Sequence, residues 1–217
     1  MRLVFLGPPG AGKGTQAITY AQRHKLPHVS TGDMLRAAVA KGSPAGLKAK
    51  PIMDAGGLVG DDIVLACVEE RLDSDASVGF ILDGYPRNVQ QAKDLAAAMA
   101  KRGMKLDAVV NFDIPVEVIV PRMAGRRVAL KSGRTYHLTA NPPKVAGKCD
   151  VTGEDLIQRD DDREEVVRKR MTTYAEKTEP LIRHYAAEGL LVTVDANGAM
   201  ADVEARLEKA LAGKKRA

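Results

Sequence analysis

The chain has 217 residues, 45% of them hydrophobic and 28% charged, with a net charge of +5 from 33 basic and 28 acidic side chains. That length is generous for one minimal domain and short for two ordinary ones, and the composition is that of a chain able to bury a core. Aromatics are only 4% with no tryptophan, and no zinc-finger, RRM or homeodomain pattern occurs, which argues against a nucleic-acid partner.

The first apolar run, residues 3–6, reads as a strand. The stretch GPPGAGKGT follows at 7–15, and a helical pattern covers 14–24. A weaker strand signal lies at 28–29. Residues 31–60 carry no predicted element and are broken at KGSPAG and DAGG. Then come a helix at 63–72, a strand at 79–82, a helix at 89–99, a strand at 108–112 and a helix at 116–123. Residues 125–159 are rich in Gly, Pro, Lys and Thr and lack a helical period; so long a loop in a compact domain is expected only as a functional lid with small hairpins of its own. One long helix is predicted at 164–187, a strand at 190–194, a last helix at 201–211 and a basic tail, KKR, at 214–216. Strands alternating with helices predict an α/β fold, and short, continuously apolar strands predict a parallel sheet covered on both faces.

The spacing Gly7-x4-Gly12-Lys13, after a strand and before a helix, is that of a phosphate-binding loop. Glycines let backbone N–H groups turn inward around an anion, the helix N-terminus adds its positive dipole end, and Lys13 brings a point charge to the β- and γ-phosphates. The loop identifies triphosphate binding and leaves the reaction open. Position 14, where such loops carry the Ser or Thr that touches magnesium, is glycine, and Thr15 comes one step late. No N-K-x-D motif for reading guanine is present. The positive balance is read either as a basic surface plus the tail or as arginines gathered around a polyanionic ligand. Cys67 and Cys149 form no CxxC, and neither a signal-peptide layout nor a membrane-length apolar run appears. A cytoplasmic protein with no membrane partner is the expectation.

Three further stretches narrow the reaction: STGDMLR at 30–36, FILDGYPRNVQQ at 80–91, and the run of motifs from GRR to DVTGE over 125–154, followed by RDDD and VRKR. With GPPGAGKGT, and in this order over nearly the whole chain, they resemble the adenylate kinase family. The resemblance implies reversible transfer of the terminal phosphoryl group of Mg-ATP to AMP, giving two ADP. It also implies a P-loop NTPase core with a five-stranded parallel sheet flanked by helices, over 1–29, 60–121 and 160–217. An AMP-binding insert at 30–59 and a lid insert at 122–159 complete it. The late Thr15 is normal in this family, and a monomer is implied.

Phosphoryl transfer asks mainly for alignment and charge neutralisation, and guanidinium groups bind phosphate oxygens in pairs. By resemblance, Arg36 and Arg87 hold the AMP phosphate, while Arg122, Arg126, Arg159 and Arg170 come from the lid's two ends and the helix beyond. Arg127, Arg163, Arg168 and Lys169 read as surface charges. Gly10, Ala11, Gly12, Lys13, Gly14 and Thr15 would wrap the ATP phosphates, with Arg126, Thr135, Tyr136 and Gly198 near the donor adenine. Thr31, Gly57, Leu58, Val59, Gly84, Tyr85, Pro86 and Gln91 would line the AMP site, and the Gln91 amide can both accept from and donate to a base edge. Asp83, at the end of an apolar strand, would hold a magnesium-bound water beside Thr15; a helix N-cap is its other reading. Asp161 and Asp162 would couple lid closure to the site, or cap the following helix. No carboxylate base is expected, because the AMP phosphate is already an anionic nucleophile.

Zinc-bearing lids of the family carry Cys-x2-Cys-x16-Cys-x2-Cys or Asp. The matching positions here are Ala129, Ser132, Cys149 and Thr152, too few ligands for tetrahedral zinc. Magnesium with ATP, and no lid zinc, is the expectation. Ala129 cannot join a hydrogen-bonded substitute for the metal. Two alternatives are a kinase for another monophosphate, which the long lid and Gln91 disfavour, and a nucleotide sensor without turnover, which would be expected to have lost Lys13, Arg87 or the lid arginines.

Overall fold

A computed structural model describes residues 1–75 and 78–214, so Lys215 and Arg216 of the basic tail lie outside the described residues. Five strands, β1 (Arg2–Leu6), β2 (His28–Ser30), β3 (Phe80–Asp83), β4 (Ala108–Asp113) and β7 (Leu191–Asp195), form one parallel sheet in the order β2-β3-β1-β4-β7. The apolar alternation shows why both faces must be covered. Leu3, Phe5, Ile81, Val110 and Phe112 join the core on one face, and Val4, Leu6, Phe80, Leu82 and Val109 the core on the other. With all of them buried, β1, β3 and β4 read as nearly continuous apolar runs.

Helix α1 (Lys13–His24) starts directly after the glycine loop and buries Gln16, Ala17, Tyr20 and Ala21, one stripe at helical spacing. The chain leaves β1 toward β2 on one side and leaves β4 toward β7 on the other. The ends of β1 and β4 therefore flank the point where connections part, the place where open α/β sheets bind ligands.

The segment 31–60, predicted without elements, folds into two helices, α2 (Thr31–Ala40) and α3 (Pro44–Asp54). Gly42, Ser43 and Pro44 divide the two helices and Gly56 and Gly57 follow the second, while Pro51 lies inside it. Ser30 Oγ accepts from Asp33 N at 3.2 Å, Ser43 Oγ accepts from Gly46 N at 3.1 Å, and Pro44 opens α3, where its missing N–H costs nothing. Helix α4 spans Asp61–Asp75, α5 Val89–Ala100 and α6 Val116–Ala124. The single helix predicted at 164–187 is divided. Helix α7 (Glu164–Thr173) runs into a π-turn over Tyr174–Thr178 before α8 (Pro180–Ala187), with Glu179 N donating to Tyr174 O at 2.9 Å. Pro180 has no N–H for the helical ladder and its ring crowds the preceding turn, so the backbone widens there. Helix α9 (Met200–Leu211) closes the fold.

Residues 125–159 contain the small hairpin expected of a lid, β5 (Arg126–Val128) against β6 (Thr135–His137), with bridges Val128–Ile157 and Lys148–Asp155. Asp161 and Asp162 sit in a single 3-10 turn and, among the described residues, neither makes a side-chain capping bond to α7.

Candidate active site

One cavity of about 420 Å³ opens above the carboxyl ends of the sheet. At its base, Gly12 has φ +87° and forms the N-cap of α1, a left-handed conformation that turns the N–H groups of the first turn toward the cavity. Lys13 Nζ lies over the loop, donating to the Gly7 and Pro8 carbonyls at 2.6 and 2.8 Å. Its neighbour explains the missing Ser or Thr. A Cβ on Gly14 would stand 3.3 Å from Asp83 Oδ2, so any side chain there crowds the carboxylate at the end of β3.

Asp83 faces Lys13 and has His28 Nε2 3.4 Å from its Oδ2. Burial would raise its pKa, but His28 and Lys13 hold it below the ordinary carboxylate range. No capping role appears, because the chain runs on from Asp83 through Gly84–Asn88 before α5 begins, and Asn88 caps α5 by accepting from Gln91 N at 2.8 Å.

The arginines converge from four elements. Arg36 of α2 donates to Asp33 Oδ1 at 2.6 Å, and Arg159 Nη2 reaches the same oxygen at 3.4 Å. Arg87 Nε donates to Gly84 O at 2.8 Å. Arg122 of α6 donates to the Ala196 and Gly198 carbonyls at 3.1 and 3.3 Å. Arg126 of β5 makes a two-pronged contact with Asp162, Nε to Oδ2 at 2.8 Å with Nη2 on Oδ1, and Arg170 of α7 donates to Asp161 Oδ2 at 2.8 Å. These cations suffer from burial and from one another. Lys13 is lowered to about 8, chiefly by burial, with Asp83 opposing and Arg87, Arg170 and Arg126 adding repulsion. Burial lowers Arg159 and Arg170 to about 10 and also lowers Arg87 and Arg122. Among the described residues Arg159 Nε has no hydrogen-bond partner. A polyanion entering the cavity would relieve all of these strains at once.

Every residue the sequence nominated lines this cavity except two. Tyr85 is 1% exposed and belongs to the hydrophobic core, its hydroxyl donating to Gln91 O at 3.2 Å. Its ring is the largest fully buried side chain in the molecule's described part, and apolar burial outweighs a place at the cavity. Asp162, 1% exposed, stands behind Arg126 and Arg170 rather than in the cavity. Two others are present with their polar atoms engaged. The Tyr136 hydroxyl accepts from Asp150 N at 2.8 Å and lies 3.4 Å from Cys149 Sγ, and Thr31 Oγ1 donates to Gly84 O at 2.9 Å. Arg163 and Arg168 pair with Asp160 and Glu164 on the exposed surface, as read from the sequence.

Sequence reading missed Asp33, His28, Gln16 and Asp61. Asp33 was within reach, since it lies three residues before Arg36 on one helix face. His28, Gln16 and Asp61 carry no local signal. Their roles come from contacts across the fold: Gln16 Nε2 donates to Met200 O at 2.9 Å, and Asp61 accepts from Gln91 Nε2 at 2.7 Å.

Within residues 125–159, Ser132 Oγ lies 3.4 Å from Cys149 Sγ, Thr152 Oγ1 donates to Glu154 at 2.7 Å, and Glu154 also accepts from the backbone of Lys131 and Ser132 at 2.8 and 3.1 Å. Ala129, fully buried, packs with Tyr136, Cys149 and Leu156 as a small apolar cluster instead of joining the network. Among the described residues no three His, Cys, Asp or Glu side chains are grouped to hold a metal.

A family model described as adenylate kinase matches residues 5–190 of the chain. A curated adenylate kinase from Streptomyces griseus subsp. griseus is 49% identical over 213 residues, covering 97% of each chain.

Proposed function

The chain belongs to the adenylate kinase family, and from that premise we propose how its own residues divide the work of a nucleoside monophosphate kinase. The reaction is reversible transfer of the terminal phosphoryl group of ATP to AMP, giving two ADP. The observation that carries the assignment of residues is continuity: one cavity runs from the glycine loop, past the arginines, to Gln91.

The bond from the γ-phosphorus to its bridging oxygen breaks as a bond to an AMP phosphate oxygen forms. No proton has to be removed, so alignment and charge neutralisation are the protein's tasks. The backbone of residues 10–15 and Lys13 hold the donor phosphates. Arg36 and Arg87 hold the acceptor phosphate. Arg122, Arg126, Arg159 and Arg170 surround the group in flight, with Asp161 orienting Arg170, and Asp162 holding Arg126 from behind. Arg126, Thr135, the Tyr136 backbone and Gly198 wall the donor base. Thr31, the backbone of 57–59, Gly84, Pro86 and Gln91 wall the acceptor base. The segments 30–59 and 122–159 act as two inserts on a core of 1–29, 60–121 and 160–217, and their closure keeps water from the phosphoryl group.

Magnesium fits this cavity. Asp83 is kept ionised beside Lys13, and Thr15 lines the same wall, so both face the place where ATP phosphates would bring the ion. When bound, magnesium would supply positive charge that offsets the charge of the ATP phosphates. Thr15 and Asp83 would hold it through water. A lid without zinc is proposed because Cys149 alone, of the four matching positions, offers a strong ligand; one equivalent of tightly bound zinc in the purified protein would refute this. A monomer in the cytoplasm completes the reading, and among the described residues no helix is long and apolar enough to cross a membrane.

The test is ADP formation from Mg-ATP with AMP, UMP, CMP and GMP offered separately. AMP is expected to be the best acceptor by a wide margin. Best activity with a pyrimidine monophosphate would overturn the acceptor assignment, and no turnover with any of them would favour a nucleotide sensor.

A further inference from the structure

Asp61 opens α4, does not itself line the cavity, and stands behind Gln91. We propose that it is a positioning residue that makes the acceptor site choose a 6-amino purine over a 6-oxo purine. The inference rests on the reading of Gln91 as the side chain that meets the acceptor base.

Gln91 lines the cavity yet is 2% exposed, and both ends of its amide are tied. Its Oε1 accepts from the Arg87 backbone N–H at 2.6 Å, and its Nε2 donates to Asp61 Oδ1 at 2.7 Å. A backbone N–H can only donate and a carboxylate can only accept. Only one orientation of the amide satisfies both partners. Asp61 is itself steadied by Asn88 Nδ2, at 3.2 and 3.3 Å from its two oxygens, while Asn88 Oδ1 accepts from Gln91 N at 2.8 Å. Asp61, Asn88 and Gln91, the last through both its amide and its backbone N–H, form a closed ring of hydrogen bonds.

Held in this way, Gln91 keeps one lone pair on Oε1 and one N–H on Nε2 for a ligand. Adenine offers the complement on adjacent atoms: its 6-amino group donates and its N1 accepts. Hypoxanthine and guanine offer the reverse, a 6-oxo acceptor beside an N1–H donor. To receive them the amide would have to turn over. Its NH2 would then face the Arg87 N–H, and its oxygen would face the Asp61 carboxylate. Each buried mispairing of this kind is worth roughly tenfold in binding. Gln91 alone could serve either base by rotating its amide; Asp61 and the Arg87 backbone remove that freedom. Asp61 at the start of α4 also suits the helix dipole, but that role would alter stability and leave base choice untouched.

The experiment measures kcat/KM for AMP and for inosine monophosphate at saturating Mg-ATP, with Tm, in the wild type, Asp61→Ala, Asp61→Asn and Gln91→Leu. The wild type should strongly prefer AMP. Asp61→Ala should narrow the preference about tenfold, mainly through the acceptor KM, with the KM for Mg-ATP unchanged. Asp61→Asn keeps an oxygen that can accept from Gln91 and should stay within about threefold of wild type. Asp61→Ser carries the same expectation as Asp61→Ala if that variant does not fold. An unchanged preference in folded Asp61→Ala, with or without a fall in Tm, while Gln91→Leu erases it, overturns the role of Asp61 and leaves the reading of Gln91 standing. An unchanged preference in Gln91→Leu overturns that reading, and this proposal with it.

Discussion

The floor and the roof of the cavity are held by different forces. On the floor, the glycine loop and the Gly84–Asn88 turn leave β1 and β3, whose Leu3, Val4, Ile81 and Leu82 are fully buried. Hydrophobic burial fixes these backbone positions, and removing one such side chain typically costs about 2–5 kcal/mol. The roof rests on the β5–β6 hairpin, a small cluster of Ala129, Tyr136, Cys149 and Leu156, and hydrogen bonds around Glu154. Its tie to the rest of the site is polar: Arg126 on Asp162. A site that must hold phosphates accurately and also admit them gains from this division. Packing gives the floor its precision, and polar contacts on the roof can be exchanged for contacts to a ligand.

The comparison breaks most visibly on the floor. Arg87→Ala removes a buried cation from beside Asp83 but leaves the Arg87 backbone bonds to Gln91 and Thr178 in place. Turnover of AMP should fall about a thousandfold, with Tm nearly unchanged. A loss under tenfold would contradict the assigned role. On the roof the ordering reverses. Asp162→Asn leaves Arg126 without its charged partner while Asp162's site stays buried, so stability should fall by about 3 kcal/mol and Tm by roughly 6–12 °C, while activity falls far less than in Arg87→Ala. Equal damage to stability and activity in both variants would erase the distinction.

Legibility in the sequence divides along the same line. The sheet and the glycine loop were plain, because continuous apolar runs and glycine spacing are local signals. The helices of 31–60 were hidden by breaker residues, of which Ser43 and Pro44 open the second helix while Pro51 lies within it. The division of the helix at 164–187 follows from Pro180, which the polar pattern around it masked. Asp161 and Asp162 are adjacent and alike, yet one lines the cavity and the other is buried behind it, a difference only the packed turn decides. Tyr85 was misplaced because a motif position does not say which way a ring points. Asp61 and Gln91 are 30 residues apart and meet only in the fold.

Floor chemistry also makes a prediction about pH. Lys13 titrates near 8 in the ligand-free protein because it is buried among arginines, far below an ordinary lysine. Between that value and the unfolded one, the unfolded chain binds more protons, so stability rises with pH across roughly 8 to 10.5. The ligand-free wild type should gain a few degrees of Tm relative to Lys13→Met over that range. Mg-ATP, which favours charged Lys13, should bind more weakly as pH rises through 8. A Tm difference between the two proteins that stays flat with pH would show that Lys13 keeps its charge unaided.

The roof carries a second titration of the same sign, with stability again rising with pH but over a lower range. Burial raises the Cys149 thiol, but the Ser132, Thr152 and Tyr136 hydroxyls and the Thr152 backbone outweigh it and bring the pKa to about 6. A folded pKa depressed below the unfolded one stabilises fully above the unfolded value, and that gain is lost as pH falls through 6. Thiolate absorbance should therefore appear with a midpoint near 6 in wild type and be missing in Cys149→Ser. The pH dependence of lid stability, followed by proteolysis within 122–159, should flatten in the same variant. A midpoint near that of free cysteine would mean that the hydroxyls accept from the thiol rather than donate to a thiolate. The polar part of the roof would then rest on the Glu154 hydrogen bonds and the Arg126–Asp162 pair.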